Sequence, residues 1–269
     1  MTTATISAPV RARHIGPVRA ARHGATLAWR ALVRIRRNPE QLLDVTLSPI
    51  IFVTLFVFLF GGAIAGQSRH SYLQFVLPGV MVQTVIFASV GTGVGLATDI
   101  TKGIFDRFRS LPIARSGPLT GAICGDMFRY VISVAMVFAY GSLLGFRVQT
   151  NVLAALAAVG LTFIFAFAVC WIWALLGLYI RSPQSVQGVS FLVMFPLTFG
   201  SNVFVAANTL PAWLRAWVKV NPVTDVTTAV RGLMLGGPVA TPLWRSLAWA
   251  AGIILVFAPL AVRRYRRVA

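Results

Sequence analysis

Residues 152–180 read VLAALAAVGLTFIFAFAVCWIWALLGLYI, 29 consecutive positions without an Asp, Glu, Lys or Arg. A helix crosses the hydrocarbon core of a bilayer in about 20 apolar residues. This stretch is therefore long enough to cross with tilt or to extend past the headgroups. Five further apolar stretches accompany it, at Leu47–Ala65, Leu73–Ala97, Ile123–Leu144, Val189–Ala207 and Leu243–Val262. Alternation of period two is missing from all six, which disfavours a transmembrane β-barrel. The expectation is an all-α integral membrane protein with six transmembrane helices.

Charge sets the orientation. Only 11% of the 269 residues are charged, against 57% hydrophobic, and the net charge is +18. A soluble domain carries about 25% charged residues. The basic residues fall between the apolar stretches, so they read as membrane topology and no nucleic-acid partner is expected. Cytoplasmic loops retain Lys and Arg. With the N-terminus inside, 17 of the 24 basic residues are cytoplasmic and six are external, with Arg129 near a boundary. Both termini are expected in the cytoplasm, in a bacterial inner membrane crossed several times; the preference for Arg over Lys suggests a GC-rich bacterial genome.

Catalytic and nucleotide-binding patterns are missing. Lys102 and Lys219 are the only lysines and neither follows a glycine, so no Walker A loop exists to cradle phosphates. If ATP drives this chain, another chain binds the ATP and its magnesium. Cys124 and Cys170 lie in or beside apolar stretches and imply neither a disulfide nor a metal site. His14, His23 and His70 lack ligand spacing, and no serine sits in a nucleophile elbow.

Outside the spans, four segments stand out. Residues 1–21 have no apolar period and read as a disordered cytoplasmic tail. Residues 22–44 form an amphipathic pattern, with Arg30, Arg34 and Arg37 on one face and Leu27, Ala31 and Ile35 on another. That pattern suits an interfacial helix lying on the inner leaflet among membrane lipids. In TDITKGIFDRFRSLPIARSGP, residues 98–118, Ile104, Phe108 and Leu111 recur at helical spacing beside Phe105, and Pro112 ends the run. Such a short helix either docks in a partner's groove or rests on the membrane surface. Asn208–Pro242 should hold two external helices, interfacial or re-entrant. Pro211 opens the first, which carries Trp213 and Trp217; Asn221-Pro222 breaks it, and Thr224 caps the second ahead of Asp225. Tryptophan favours the headgroup layer.

Within the spans, Asp126 and Arg129 are three apart on one helical face. Counting back one span length from Leu144 places them near the cytoplasmic boundary, as a structural ion pair in preference to a proton relay. Gly91, Gly93 and Gly95 should loosen or kink the second stretch. Pro196, Gly200, Ser201 and Asn202 interrupt the fifth, as in transporters whose broken helices line a pathway, or as a helix contact would.

Two stretches resemble a known family. GIFDRFRSLPIARSGPLTGAICGD, residues 103–126, is similar to the segment after the second span of ABC-2-type exporter permeases. FPLTFGSNVFVAANTLPAWLRAWVKVNPVTDVTTAVRGLMLGG, residues 195–237, is similar to that family's proline-containing fifth span, its Asn-Pro turn and its Arg-Gly helix, above all in the daunorubicin-resistance subgroup. The resemblance covers nearly everything after residue 21, so residues 45–269 are expected to be one ABC-2-type transmembrane domain. It implies an exporter of two permease chains, identical or paralogous, and two separate ATPase subunits. It makes Gly103, Ile104, Phe105, Asp106, Arg107, Phe108, Arg109 and Leu111 the coupling helix that meets the ATPase. It makes the segment bearing Trp213, Trp217, Asn221, Pro222 and Arg231 part of an outer gate. The substrate class it implies is an amphipathic drug, lipid or secondary metabolite. The rival readings are a proton-coupled secondary transporter resting on Asp126 and a membrane scaffold that transports nothing. Neither cofactor nor metal is expected on this chain.

Overall fold

The computed structural model describes residues 39–61, 68–103, 117–180 and 182–268. Eight α-helices are present among them: α1 (Pro39–Leu55), α2 (Arg69–Thr101), α3 (Gly117–Leu143), α4 (Val152–Tyr179), α5 (Pro183–Phe199), α6 (Ala212–Val220), α7 (Pro222–Leu235) and α8 (Ala240–Val268). The described residues hold no strand. Among the described residues the apolar stretches fall on α1, α2, α3, α4 and α8, except that the stretch 189–207 runs past the end of α5. Three segments, Arg69–Thr101, Val152–Tyr179 and Ala240–Tyr265, are long and apolar enough to cross a membrane.

Helix α1 continues through a π-helical turn, Phe56–Phe60, without a break at the expected boundary between residues 44 and 45. The expected tail, and Arg30, Arg34 and Arg37 of the interfacial helix, lie outside the described residues.

The centre of the bundle is α2, which packs on α3, α4, α5 and α7, while α8 covers α4 and α7. Its contact with α4 explains Gly93, the middle one of the alternate glycines, better than a kink does. Helix α2 runs unbroken through all three. A Cβ on Gly93 would lie 2.5 Å from the Trp173 carbonyl oxygen, and one on Gly177 would lie 2.3 Å from the Gly93 carbonyl oxygen. The two backbones therefore touch, as small residues permit where lipid supplies no hydrophobic drive between helices. Gly91 makes room for the Arg129 guanidinium, and Gly95 faces open space. Above and below this crossing the core is filled by Trp173, Tyr130, Phe165, Leu77 and Met81, all buried. Trp173 Nε1 donates to Ser89 Oγ at 3.0 Å, so its polar edge is satisfied inside the bundle.

The fifth helix departs from expectation in its limits. It spans Pro183–Phe199, starting earlier and ending earlier than the apolar stretch 189–207. Ser182 starts it by accepting from Ser185 N–H, and Pro183 suits the first turn. Pro196 stays within the helix, and Gly200 caps its end. Residues 201–206 then run irregularly to a 3₁₀ turn at Ala207–Thr209.

Candidate functional site

Asn221 holds the irregular segment in place. Its Nδ2 donates to the carbonyl oxygens of Leu197 at 2.7 Å and Gly200 at 2.9 Å, two acceptors that the end of α5 leaves open. Its Oδ1 accepts from Val223 N–H at 2.9 Å. One amide thus caps the end of α5 and the start of α7. The second external helix starts at Pro222 with Asn221 as its cap, so the expectation for Thr224 is corrected. Proline cannot donate and suits the first helical position, which moves the start three residues upstream. Asp225 does sit in the first turn of α7. Burial raises its carboxyl pKa, and Arg245 opposes the shift.

Arg231 ties α7 to the same segment. Its Nε donates to the Phe75 carbonyl at 3.0 Å, and its Nη2 donates to those of Asn202 at 3.2 Å and Val203 at 3.5 Å. The guanidinium also lies 3.8 Å from the centroid of the Phe75 ring. Burial lowers its pKa to about 9, so it stays charged at neutral pH. Carbonyl dipoles and a ring face meet that charge. Tyr72 adds a bond from its hydroxyl to the Phe204 carbonyl at 3.1 Å. Trp213 and Trp217 sit on α6 and are exposed, while the Trp217 indole edge passes close to Gly200. Of the expected gate residues, Trp217, Asn221 and Arg231 gather around residues 197–206, Pro222 starts α7 beside Asn221, and Trp213 is exposed.

The opposite half of the bundle holds a cavity of about 450 Å³ between α1, α2, α3 and α5. Phe52, Phe87, Phe191 and Met194 give it apolar walls, and Gln83, Ser133, Gln187, Arg129 and Lys102 supply polar groups. Phe87 and Phe191 meet edge to face with centroids 5.8 Å apart. Gln83 is only 3% exposed, yet neither its Nε2 nor its Oε1 has a hydrogen-bond partner. A buried amide left unpaired costs about 1–3 kcal/mol. Sequence reading passed over Gln83, because one glutamine in an apolar helix carries no motif. The available signal was its position, within the only polar pair (Gln83-Thr84) of the apolar run 75–88.

Behind the cavity wall stands a hydrogen-bonded cluster. Arg129 Nη1 lies 3.2 Å from Asp126 Oδ1, and the side chains are 17% and 15% exposed. Thr92 Oγ1 donates to Asp126 Oδ2 at 2.5 Å. Cys170 Sγ lies 3.6 Å from Thr92 Oγ1 and 2.9 Å from the Tyr130 hydroxyl. The expected pair is therefore in contact, and Thr92 of α2 holds its carboxylate as well. Since α3 starts nine residues before Asp126, the pair is bracketed by neighbouring helices inside the bundle, where a bare charge would be costly.

Of the expected coupling residues, Gly103 closes α2 with a positive φ of 64°, a conformation glycine adopts freely. Ile104, Phe105, Asp106, Arg107, Phe108, Arg109 and Leu111 lie outside the described residues. No cluster of metal ligands occurs among the described residues.

Comparison with known proteins gives a consistent answer. The family model described as ABC-2 type transporter matches residues 23–235. The chain is 44% identical over 252 residues to the daunorubicin resistance ABC transporter permease protein DrrB1 of Streptomyces coeruleorubidus, covering 93% of this chain and 89% of that one. It is 27% identical over 239 residues to the probable doxorubicin resistance ABC transporter permease protein DrrC of Mycobacterium tuberculosis, covering 88% and 86%. It is also 25% identical over 196 residues to the inner membrane transport permease YadH of Escherichia coli, covering 70% and 74%.

Proposed function

The chain belongs to the ABC-2 type transporter family and is an integral membrane permease; on that premise we propose that it is the membrane subunit of an exporter driven by a separate ATP-binding-cassette ATPase. The observation that carries this reading is the match to a drug-resistance permease along 93% of the chain. The sequence supplies no lysine in a phosphate-binding loop, so ATP and magnesium bind on the partner. Two permease chains and two ATPases form the working assembly. Helices α1, α2, α3, α4, α5 and α8 cross the membrane, both termini face the cytoplasm, and α6 and α7 lie in the outer leaflet.

In this mechanism the ATPase pushes the segment from Gly103 to Leu111. Helix α2 joins that segment to the tight α2–α4 crossing and to the cavity, so the push reaches the binding space directly. The cavity lies in the cytoplasmic half and loads an amphipathic drug, lipid or secondary metabolite. The segment 197–206, held by Asn221 and Arg231, closes the external exit until the two halves rock apart.

The test is a double substitution, Phe105→Ala with Phe108→Ala, in the chain co-expressed with its ATPase. The variant should insert in the membrane normally and lose export, because the aromatic stripe no longer packs on the ATPase. Unchanged export and unchanged ATPase assembly would refute the coupling assignment.

A further inference from the structure

A ladder of aromatic rings leads from the cavity wall to the irregular segment after α5. Phe52 lines the cavity and stacks on Phe56, with centroids 6.2 Å apart. Phe56 opens the π-helical turn that continues α1, a local geometry frequent at functional sites. On α5, Phe191 lines the same cavity, and beyond it Phe195 stacks on Phe199 at 4.4 Å. The two series meet at Phe204, which is buried. Its ring lies 3.9 Å from that of Phe56, with the planes 18° apart, and 5.1 Å from that of Phe199, with the planes 23° apart. Helix α1 packs on α2 and α3, and α5 packs on α2 and α4. Phe204 therefore ties together two helices that make their main contacts elsewhere. Its backbone is fixed from other helices as well: Arg231 holds the carbonyls of Asn202 and Val203, and the Tyr72 hydroxyl holds that of Phe204. The Val203 backbone lies against α2, where a Cβ on Gly79 would come within 2.9 Å of the Val203 carbonyl oxygen.

We propose that this ladder marks the exit route of the cavity within each chain, between α1 and α5, and that the Phe204 ring is the residue that closes it. A molecule leaving the cavity along this route has to displace the ring from Phe56 and Phe199. The proposal rests on the exporter reading and names the side chain that bars the substrate's path. Stacked rings suit a reversible seal, because each pair adds only a modest stabilisation beyond the area it buries. The ring excludes water when seated, yet no covalent bond or buried charge has to be broken to unseat it. Residues 201–206 run without regular structure, so the ring can withdraw through backbone rotations while α5 and α7 stay whole. Withdrawal requires Tyr72 and Arg231 to release their carbonyls, which couples the seal to the outer ends of α2 and α7.

The experiment needs neither ATP nor the ATPase, so its failure leaves the exporter reading standing. A Gln83→Cys substitution places a thiol in the cavity wall of the full chain. Intact spheroplasts are treated from outside with the membrane-impermeant reagent 2-(trimethylammonium)ethyl methanethiosulfonate, and the chain without the added thiol gives the background. With Phe204 in place, labelling should be slow. Adding Phe204→Ala removes two stacked pairs, which should raise the open fraction, and with it the labelling rate, roughly five- to hundredfold. Phe204→Trp keeps a flat ring and should label at the wild-type rate. Phe204→Leu keeps the bulk without the stacking and should label at an intermediate rate; it carries the test if the alanine variant fails to elute as wild type on gel filtration. Phe146→Ala is the control for general loosening: it removes a buried ring that meets Phe138 edge to face at 5.8 Å, away from the ladder, and should label as wild type does. Equal labelling with and without the Phe204 ring would overturn the proposal, because the cavity would then be closed elsewhere or open to the outside between two copies. So would a Phe146→Ala chain that labels as fast as Phe204→Ala, since the ring would then act through stability alone.

Discussion

Replacing Asn221 separates two jobs that one side chain performs. Asn221→Ala removes two donor bonds to the end of α5, at 2.7 and 2.9 Å, and the acceptor bond to Val223 N–H. A lost helix cap costs about 1 kcal/mol, and each lost neutral hydrogen bond about 1 kcal/mol. With Asn221 only 3% exposed, water replaces little of this, so the expected destabilisation is about 3 kcal/mol. Asn221→Asp is the decisive comparison. It keeps the oxygen that caps α7 but turns a carboxylate oxygen toward the carbonyls of Leu197 and Gly200. If both ends matter, Asp should be at least as destabilising as Ala, and Ser should fall between Ala and wild type. The assay is the midpoint of thermal unfolding in detergent, followed by fluorescence-detected gel filtration. A wild-type midpoint for Asn221→Asp would mean that only the α7 cap matters, and the account of how α5 is held would fail.

Further perturbations test other contacts. Gly177→Ala should destabilise the bundle by about 1–3 kcal/mol, the cost of overpacking, because the new methyl meets a backbone carbonyl; Gly95→Ala, which faces open space, should be neutral, and equal melting of the two would contradict the tight crossing. Arg231→Met should expose residues 201–206 to proteolysis, since three carbonyls lose their donor, and an unaltered digestion pattern would remove its bracing role. Asp225 should respond to pH. Its raised pKa means the folded state holds the proton more tightly than the unfolded one, so its contribution is most favourable below the unfolded value of about 3.9 and declines as pH rises through the folded value. Asp225→Asn should therefore match wild type in acid and equal or exceed its stability at neutral pH; a marked loss at neutral pH would show that the pair with Arg245 outweighs burial. Asp126→Asn should lower stability yet keep export after collapse of the proton gradient, and abolished export with normal folding would favour the proton-coupled rival.

The helical membrane architecture was legible because apolar length is a local property: 29 uncharged residues at 152–180 admit little else. The Asp126–Arg129 pair was legible for the same reason, since spacing of three fixes a shared face. What escaped depends on partners distant in sequence. Gly93 looks like a flexible point until Gly177 and Trp173 are placed on it. Asn221 reads as a helix breaker, and only the fold brings the end of α5, some 21 residues earlier, within reach of its amide. Thr224 was a reasonable cap by residue type, but Pro222 started the helix first. Gln83 gave only a faint local signal, a polar pair in an apolar run, because its meaning comes from a cavity built by four helices.

The central claim is that this chain conducts while another chain hydrolyses ATP. It is tested most directly in proteoliposomes holding the purified permease, with and without a co-expressed ATP-binding-cassette ATPase, loaded with a fluorescent amphipath and treated with a protonophore. The account predicts no ATP hydrolysis and no pumping by the permease alone, and ATP-dependent, protonophore-resistant transport once the ATPase is present. Hydrolysis by the permease alone, or transport that follows the proton gradient without the ATPase, would contradict it.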